Sequence, residues 1–181
     1  MVNEPLVRVI PAGIPGYVCD WIVDDSRARA SRTPDAPVSW PADHWITGLL
    51  WHFASRANET DWRYTIVASE SAFLATYGRK GFSTWHADDV LKPTDASLPS
   101  ALRGLTRKLS VTLMLNESSD YSGGDFRIKR EGAAETELDP ALFRRKGTVI
   151  IHPSYALTSV RPVTKGVKHS LVTWLLGPLT T

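Results

Sequence analysis

The sharpest chemical possibility in the sequence is the run Trp85-His86-Ala87-Asp88. In an extended segment residues two apart point to the same side, so His86 and Asp88 can offer an imidazole and a carboxylate to one metal ion from a single strand edge. That pair suits Fe(II), whose non-heme oxygenase site is two histidines and one carboxylate on one face of an octahedron. Alone the triplet is weak, because a histidine beside an acid is more often a surface hydrogen bond. Of the other histidines, His44 and His52 fall in a helical stretch where helix-end or packing roles are expected. His152 shares a strand side with Ile150, and His169 points away from its neighbour Lys168.

The elements that must position these residues read mostly as strands. Residues 6–10 and 17–23 are short apolar runs of strand character, split by the turn segment PAGIPG. Residues 26–43, polar and proline-bearing, read as a loop. From 43 to 58 apolar residues recur at helical spacing (Ile46, Leu49, Leu50, Phe53, Ala54, Ala57), with Asp43 as the expected N-cap. Strands are then expected at 62–68, 72–77, 109–115 and in GDFRIKR after Gly123. Further strands are expected in TVIIHP after Gly147, at 159–163 and at 170–176. Pro93, Pro99 and Pro153 lie between these runs, and the segment 92–100 reads as a loop able to act as a lid. One helix followed by seven or more short strands predicts a mainly β fold, a sandwich or jelly roll with a helical flank.

Composition bounds the function. With 181 residues, 43% of them hydrophobic and 22% charged, the chain is one domain's worth of ordinary globular protein. The 21 basic and 19 acidic residues nearly cancel, so neither a nucleic-acid partner nor a membrane surface is expected. Basic clusters such as Arg127, Lys129, Arg130 and Arg144, Arg145, Lys146 read as solvated surface. The single cysteine, Cys19, excludes an internal disulfide and a cysteine-based zinc cluster. No apolar run approaches the roughly 18 residues of a spanning helix, and the first residues lack the pattern of a signal peptide, so a cytoplasmic protein is expected. Seven tryptophans are many for this length, and Trp40, Trp45, Trp51, Trp62 and Trp85 are expected as core filler and covers over strand faces.

From Trp51 to Pro178 four ordered blocks add a family likeness: LWHFASRANETDWRYTI, TYGRKGFSTWHADD, RKLSVTLMLNESSDYSGGDFRI and GTVIIHPSYALTSVRPVTKGVKHSLVTWLLGP. Together they resemble the 2-oxoglutarate/Fe(II) oxygenases of the prolyl-hydroxylase-like, PKHD-type family. The likeness implies a double-stranded β-helix, a cupin-like jelly roll, over 51–178. Residues 1–50 would pack on it as N-terminal strands, loop and helix start, in one domain over 1–181. It implies Fe(II) as metal, 2-oxoglutarate as cosubstrate, and hydroxylation of a prolyl or similar side chain in an amino acid, peptide or small molecule. His86 and Asp88 fall on the first two metal ligands. Lys168 falls on the cation that binds the far carboxylate of 2-oxoglutarate, with Ser170 on the same strand face as a hydroxyl donor. Tyr77 matches a tyrosine that lines the cosubstrate pocket, although a plain core aromatic is an equal reading.

One position departs from the pattern. The family's closing block reads His-x-Val-x-Pro-Val-Thr-x-Gly, whereas this chain reads Thr158-Ser159-Val160-Arg161-Pro162-Val163-Thr164-Lys165-Gly166. The register is pinned by HPS before it and PVTKG after it, so the second metal histidine is replaced by Thr158. A threonine hydroxyl is a poor Fe(II) ligand beside imidazole. His152, six residues earlier, is the one candidate substitute if its side faces the barrel. Three readings stay open: an active oxygenase, a silent jelly-roll domain that binds a partner or small acid, and an active enzyme in which Thr158 has been introduced.

Overall fold

The computed structural model describes residues 4–32, 36–89 and 100–179. In chain order the elements are β1 (Arg8–Ile10), α1 (Gly16–Arg32), β2 (Ser39–Trp40), α2 (Trp45–Asp61), β3 (Ala68–Ser69), β4 (Ala72–Tyr77) and β5 (Ser83–His86). They continue with β6 (Leu105–Met114), β7 (Tyr121–Gly123), β8 (Phe126–Lys129), α3 (Pro140–Phe143), β9 (Val149–Pro153), β10 (Leu157–Val160), β11 (Val163–Gly166) and β12 (Lys168–Pro178). Strand outweighs helix, 36% to 25%, and the architecture is the jelly roll expected from the sequence. Among the described residues no helix is long and apolar enough to cross a membrane.

A seven-stranded sheet runs β1-β9-β6-β12-β4-β2, with β3 also on β12. Two smaller antiparallel sheets, β5-β10-β8 and β11-β7, complete the barrel. Strand alternation divides the large sheet into two chemistries. On one face Leu171 and Leu175 of β12 and Leu109, Val111 and Leu113 of β6 pack with Ile46, Leu50 and Ala54 of α2. On the other face Lys168, Ser170, Val172 and Trp174 of β12 line an internal cavity. A second apolar cluster, built on Met114, Phe126, Ile128, Phe143 and Ile150, holds the small sheets to the large one.

The structure corrects the sequence reading at several points. Residues 17–23 are not a strand but the first half of α1, which also takes in the start of the expected loop at 26–43. Cys19, Ile22 and Ser26 form its buried stripe, while Arg27 and Arg29 pair with Asp24 and Asp25 along its surface. The N-cap of α2 is His44 rather than Asp43: its backbone is extended and its ring Nδ1 accepts a hydrogen bond from the Ile46 amide. Only the last residue of the run 62–68 joins a strand, β3. There the Asn58 side chain bonds both the amide and the carbonyl of Tyr64, and Trp62 Nε1 donates to the Pro5 carbonyl, so side chains replace a ladder. Trp40 and Trp62 are core residues as expected, but Trp45 is half exposed and Trp85 lies beneath the cations of Arg127 and Lys129. The lid expected at 92–100 falls, except for Ser100, outside the described residues.

Candidate functional site

His86 ends β5 and Asp88 follows it in the turn. Their side chains converge at the cavity mouth, His86 Nε2 lying 3.6 Å from Asp88 Oδ1. Each is tied from behind. His86 Nδ1 donates to the Thr84 carbonyl at 2.8 Å, which leaves Nε2 facing Asp88. Asp88 Oδ2 accepts from Ser110 Oγ of β6 at 2.8 Å, and its amide donates to the Ser154 carbonyl at 2.8 Å. Ser110 Oγ in turn meets Ser154 Oγ at 3.0 Å, so a buried hydroxyl pair fixes the carboxylate and leaves Oδ1 turned toward the imidazole. Arg107, bidentate to Glu70, also donates to the Asp88 carbonyl.

Thr158 of β10 stands directly across the ladder from His86. Opposed residues of an antiparallel pair face the same side with Cβ atoms about 4.5–5.5 Å apart. Thr158 is buried and lines the same cavity. His152 also lines it, fully buried on β9 opposite Ser110, with Nδ1 donating to the Pro153 carbonyl at 3.0 Å. Burial lowers its pKa and keeps the ring neutral, although Asp88 pulls the other way. Among the described residues no three His, Cys, Asp or Glu side chains come together as a set able to hold a metal ion.

The deeper end of the cavity is cationic. Lys168 is 2% exposed, and its Nζ donates to the Gly124 carbonyl at 2.9 Å and lies 5.7 Å from the centre of the Tyr77 ring. No ion pair reaches it among the described residues. An ammonium has three donors, so a buried cation holding one carbonyl has capacity left for a ligand oxygen. Burial lowers its pKa to about 8, against a smaller upward pull from Asp125. Ser170 lies two residues along the same face, and Tyr77 pairs with Lys168 across β4 and β12. Tyr77 therefore serves as a cavity wall, with its phenol held protonated by burial. The whole cavity has a volume of about 120 Å³.

All seven residues singled out in the sequence (Tyr77, His86, Asp88, His152, Thr158, Lys168 and Ser170) line this one cavity. His44, His52 and His169 do not: His44 caps α2, His52 stacks edge-on against Phe53, and His169 turns to Thr76 on the far side of β12. Sequence reasoning missed Ser110, Thr112 and Ser154. For Ser110 and Thr112 the signal was present in LSVTLML, where they alternate with Leu109, Val111 and Leu113, marking a strand with one polar face. Trp174 and Phe73, in ring contact at 5.2 Å, form a further wall, with Arg107 stacked on Trp174.

Comparison with known proteins places this geometry in context. Residues 72–176 match the family model described as the 2OG-Fe(II) oxygenase superfamily. A PKHD-type hydroxylase of Picosynechococcus sp. is 38% identical over 112 residues, 62% of this chain and 42% of that protein. A PKHD-type hydroxylase of Bordetella pertussis is 30% identical over 91 residues, 50% of this chain and 36% of that protein. The chain thus spans about two fifths of the length of the curated relatives it matches. Among solved structures, a Pseudomonas putida prolyl-4-hydroxylase superposes with a TM-score of 0.68 at 15% identity, covering 96% of this chain and 92% of that one. A Trichoplax adhaerens prolyl hydroxylase, in complex with a hypoxia inducible factor peptide fragment, gives a TM-score of 0.68 at 12% identity, with 96% and 84% covered.

Proposed function

The chain belongs to the 2OG-Fe(II) oxygenase superfamily, and we propose on that footing that it is a 2-oxoglutarate-dependent hydroxylase of prolyl or similar side chains in an amino acid or peptide. The observation that carries this reading is Lys168: a buried cation at the closed end of a cavity with largely apolar walls, with no carboxylate paired to it among the described residues. Burying an ammonium is costly unless an anion compensates it. A dicarboxylate entering from the mouth would set its far carboxylate against Lys168 Nζ and the Ser170 hydroxyl, and its oxo-acid end would point at His86 and Asp88. Tyr77 would wall one side. The names of relatives support the hydroxylase class and, in the Trichoplax complex, a peptide substrate.

The residues fit the cosubstrate better than they fit the metal. Fe(II) with 2-oxoglutarate supplies the oxygen chemistry of this superfamily, and its protein share is two imidazoles and a carboxylate. Here the carboxylate and one imidazole are present and pre-set by Ser110, Ser154 and Thr84, while the place of the second imidazole holds a neutral hydroxyl. Thr158 therefore favours a second reading, a domain that keeps the cavity and binds a dicarboxylate without turnover. Formation of succinate from 2-oxoglutarate with added Fe(II) separates the two. Metal-dependent succinate supports the enzyme; dicarboxylate binding lost in Lys168→Ala with no succinate under any metal load supports the silent domain.

A further inference from the structure

We infer that the outer face of α1 is a self-recognition surface, on which a second copy of this chain docks with its own α1 antiparallel. The outward positions of the helix are Tyr17, Trp21, Asp24, Ala28 and Ser31, and their helical spacing sets them in one ridge opposite the buried stripe of Cys19, Ile22 and Ser26. Tyr17 and Trp21 are 58% and 60% exposed, and their rings meet edge to face at 5.1 Å. The first half of the ridge thus carries large rings, and the second half carries the small side chains of Ala28 and Ser31. Such a ridge is complementary to itself when reversed: Trp21 of one copy meets Ala28 of the other, and Tyr17 meets Ser31.

Charge selects the reversed pairing. Asp20 and Arg27 flank the ridge on one side, and Asp25 and Arg32 flank it on the other. Two antiparallel helices bring like flanks together, which sets Asp20 against Arg27 of the second copy at both ends of the contact. A parallel pair brings unlike flanks together, setting Asp20 against Asp25 and Arg27 against Arg32, where like charges repel. Asp24 falls at the two-fold axis, and its carboxylate is already matched by Arg27 of its own helix at 2.9 Å. The acidic residues beside the rings also disfavour an anionic membrane as the occupant. In a two-fold pair the four rings withdraw roughly 500 Å² from water. That area belongs to the small, weak class of interfaces, so dissociation on the order of 10 μM is expected.

The test is sedimentation velocity of the unmodified protein over about 1–300 μM, a range that brackets a weak dimer. The expected result is a reversible equilibrium between monomer and dimer. Trp21→Ala should weaken it by about tenfold or more while leaving the circular dichroism spectrum unchanged. Asp20→Arg and Arg27→Asp should each be monomeric alone. An equimolar mixture of those two variants should form the dimer again, because opposite charges then meet at both contacts. A monomer at every concentration overturns the inference, as does a dimer that survives Trp21→Ala and both charge reversals. A dimer strengthened in Asp20→Arg overturns the antiparallel arrangement in favour of a parallel one. Binding of monomers to phosphatidylglycerol vesicles, read as a blue shift of tryptophan fluorescence that Trp21→Ala abolishes, overturns it in favour of a membrane surface.

Discussion

Lys168 concentrates the energetics of the site in one side chain. Its pKa falls from 10.5 to about 8 through burial, so the direction of the pH dependence is fixed. Below about pH 8 the lysine is charged both folded and unfolded, and the unliganded protein carries the full cost of burying it. Between about 8 and 10.5 the folded chain releases a proton that the unfolded chain keeps, so the unliganded fold gains stability as pH rises through that window. A dicarboxylate needs the charged form, so its affinity should fall as pH rises above about 8. Lys168→Met should remove both dependences, abolish 2-oxoglutarate binding, and stabilise the unliganded protein by about 1–3 kcal/mol in chemical denaturation. A destabilised variant would mean that the cation is already compensated from within. Thr158 makes the second prediction at this scale. Thr158→His should raise succinate formation at limiting Fe(II) by about tenfold or more, since even losses behind a ligand cost about 10–100-fold. An unimproved rate would show that the missing imidazole is not what limits turnover.

Among the elements, the turn between β7 and β8 couples backbone conformation to the cavity. Gly123 and Gly124 both have left-handed backbones, with φ of 71° and 68°. A Cβ on Gly123 would lie 2.3 Å from the Pro162 carbonyl oxygen, and one on Gly124 would lie 3.3 Å from Lys168 Cδ. The Gly124 carbonyl is also the acceptor for Lys168 Nζ. Gly124→Ala should cost about 1–2 kcal/mol in backbone strain and weaken 2-oxoglutarate binding severalfold in calorimetry. Gly132 supplies the control: its φ is 70° but open space surrounds it, so Gly132→Ala should show the strain without the loss of affinity. The paired glycines were visible in the sequence as a strand opener, but their service to Lys168 was not, because a contact across forty-four residues leaves no local trace. α1 was misread for a related reason. Its first residues, Tyr17, Val18, Cys19, Trp21 and Ile22, have the composition of a strand, and only the spacing of Cys19, Ile22 and Ser26 betrays the helix. The ion pairs Asp24–Arg27 and Asp25–Arg29 carry that helix through a stretch that polarity alone marks as a loop. By contrast β4, β6, β9 and β12 were legible, because each alternates or runs apolar between clear turn residues.

At the scale of the whole molecule, the cavity is the seam between the large sheet and the small sheets. β12 brings Lys168 and Ser170 from one side, while β5 and β10 bring His86 and Thr158 from the other. The convergence of these residues was legible only through block order, since spacing in the sequence does not say which strands will face each other. A ligand that touches both sides should act as a cross-brace, binding the folded chain and not the unfolded one. Stabilisation then follows mass action, about 2.7 kcal/mol at a hundredfold excess over Kd. For a chain of 181 residues that corresponds to a rise in Tm of about 5–10 °C. Leu50→Ala separates this brace from general packing. Leu50 is fully buried on α2 behind the large sheet, away from the cavity, so its truncation should cost about 2–5 kcal/mol. Its baseline Tm should drop, yet the ligand-induced rise should survive almost unchanged. In Lys168→Met the pattern should reverse, with a baseline at or above that of the unmodified protein and no added rise from 2-oxoglutarate. Scanning calorimetry of the three proteins, with and without 2-oxoglutarate, reads all of this in one series. An equal ligand-induced rise in all three would place the bound acid somewhere other than between the sheets.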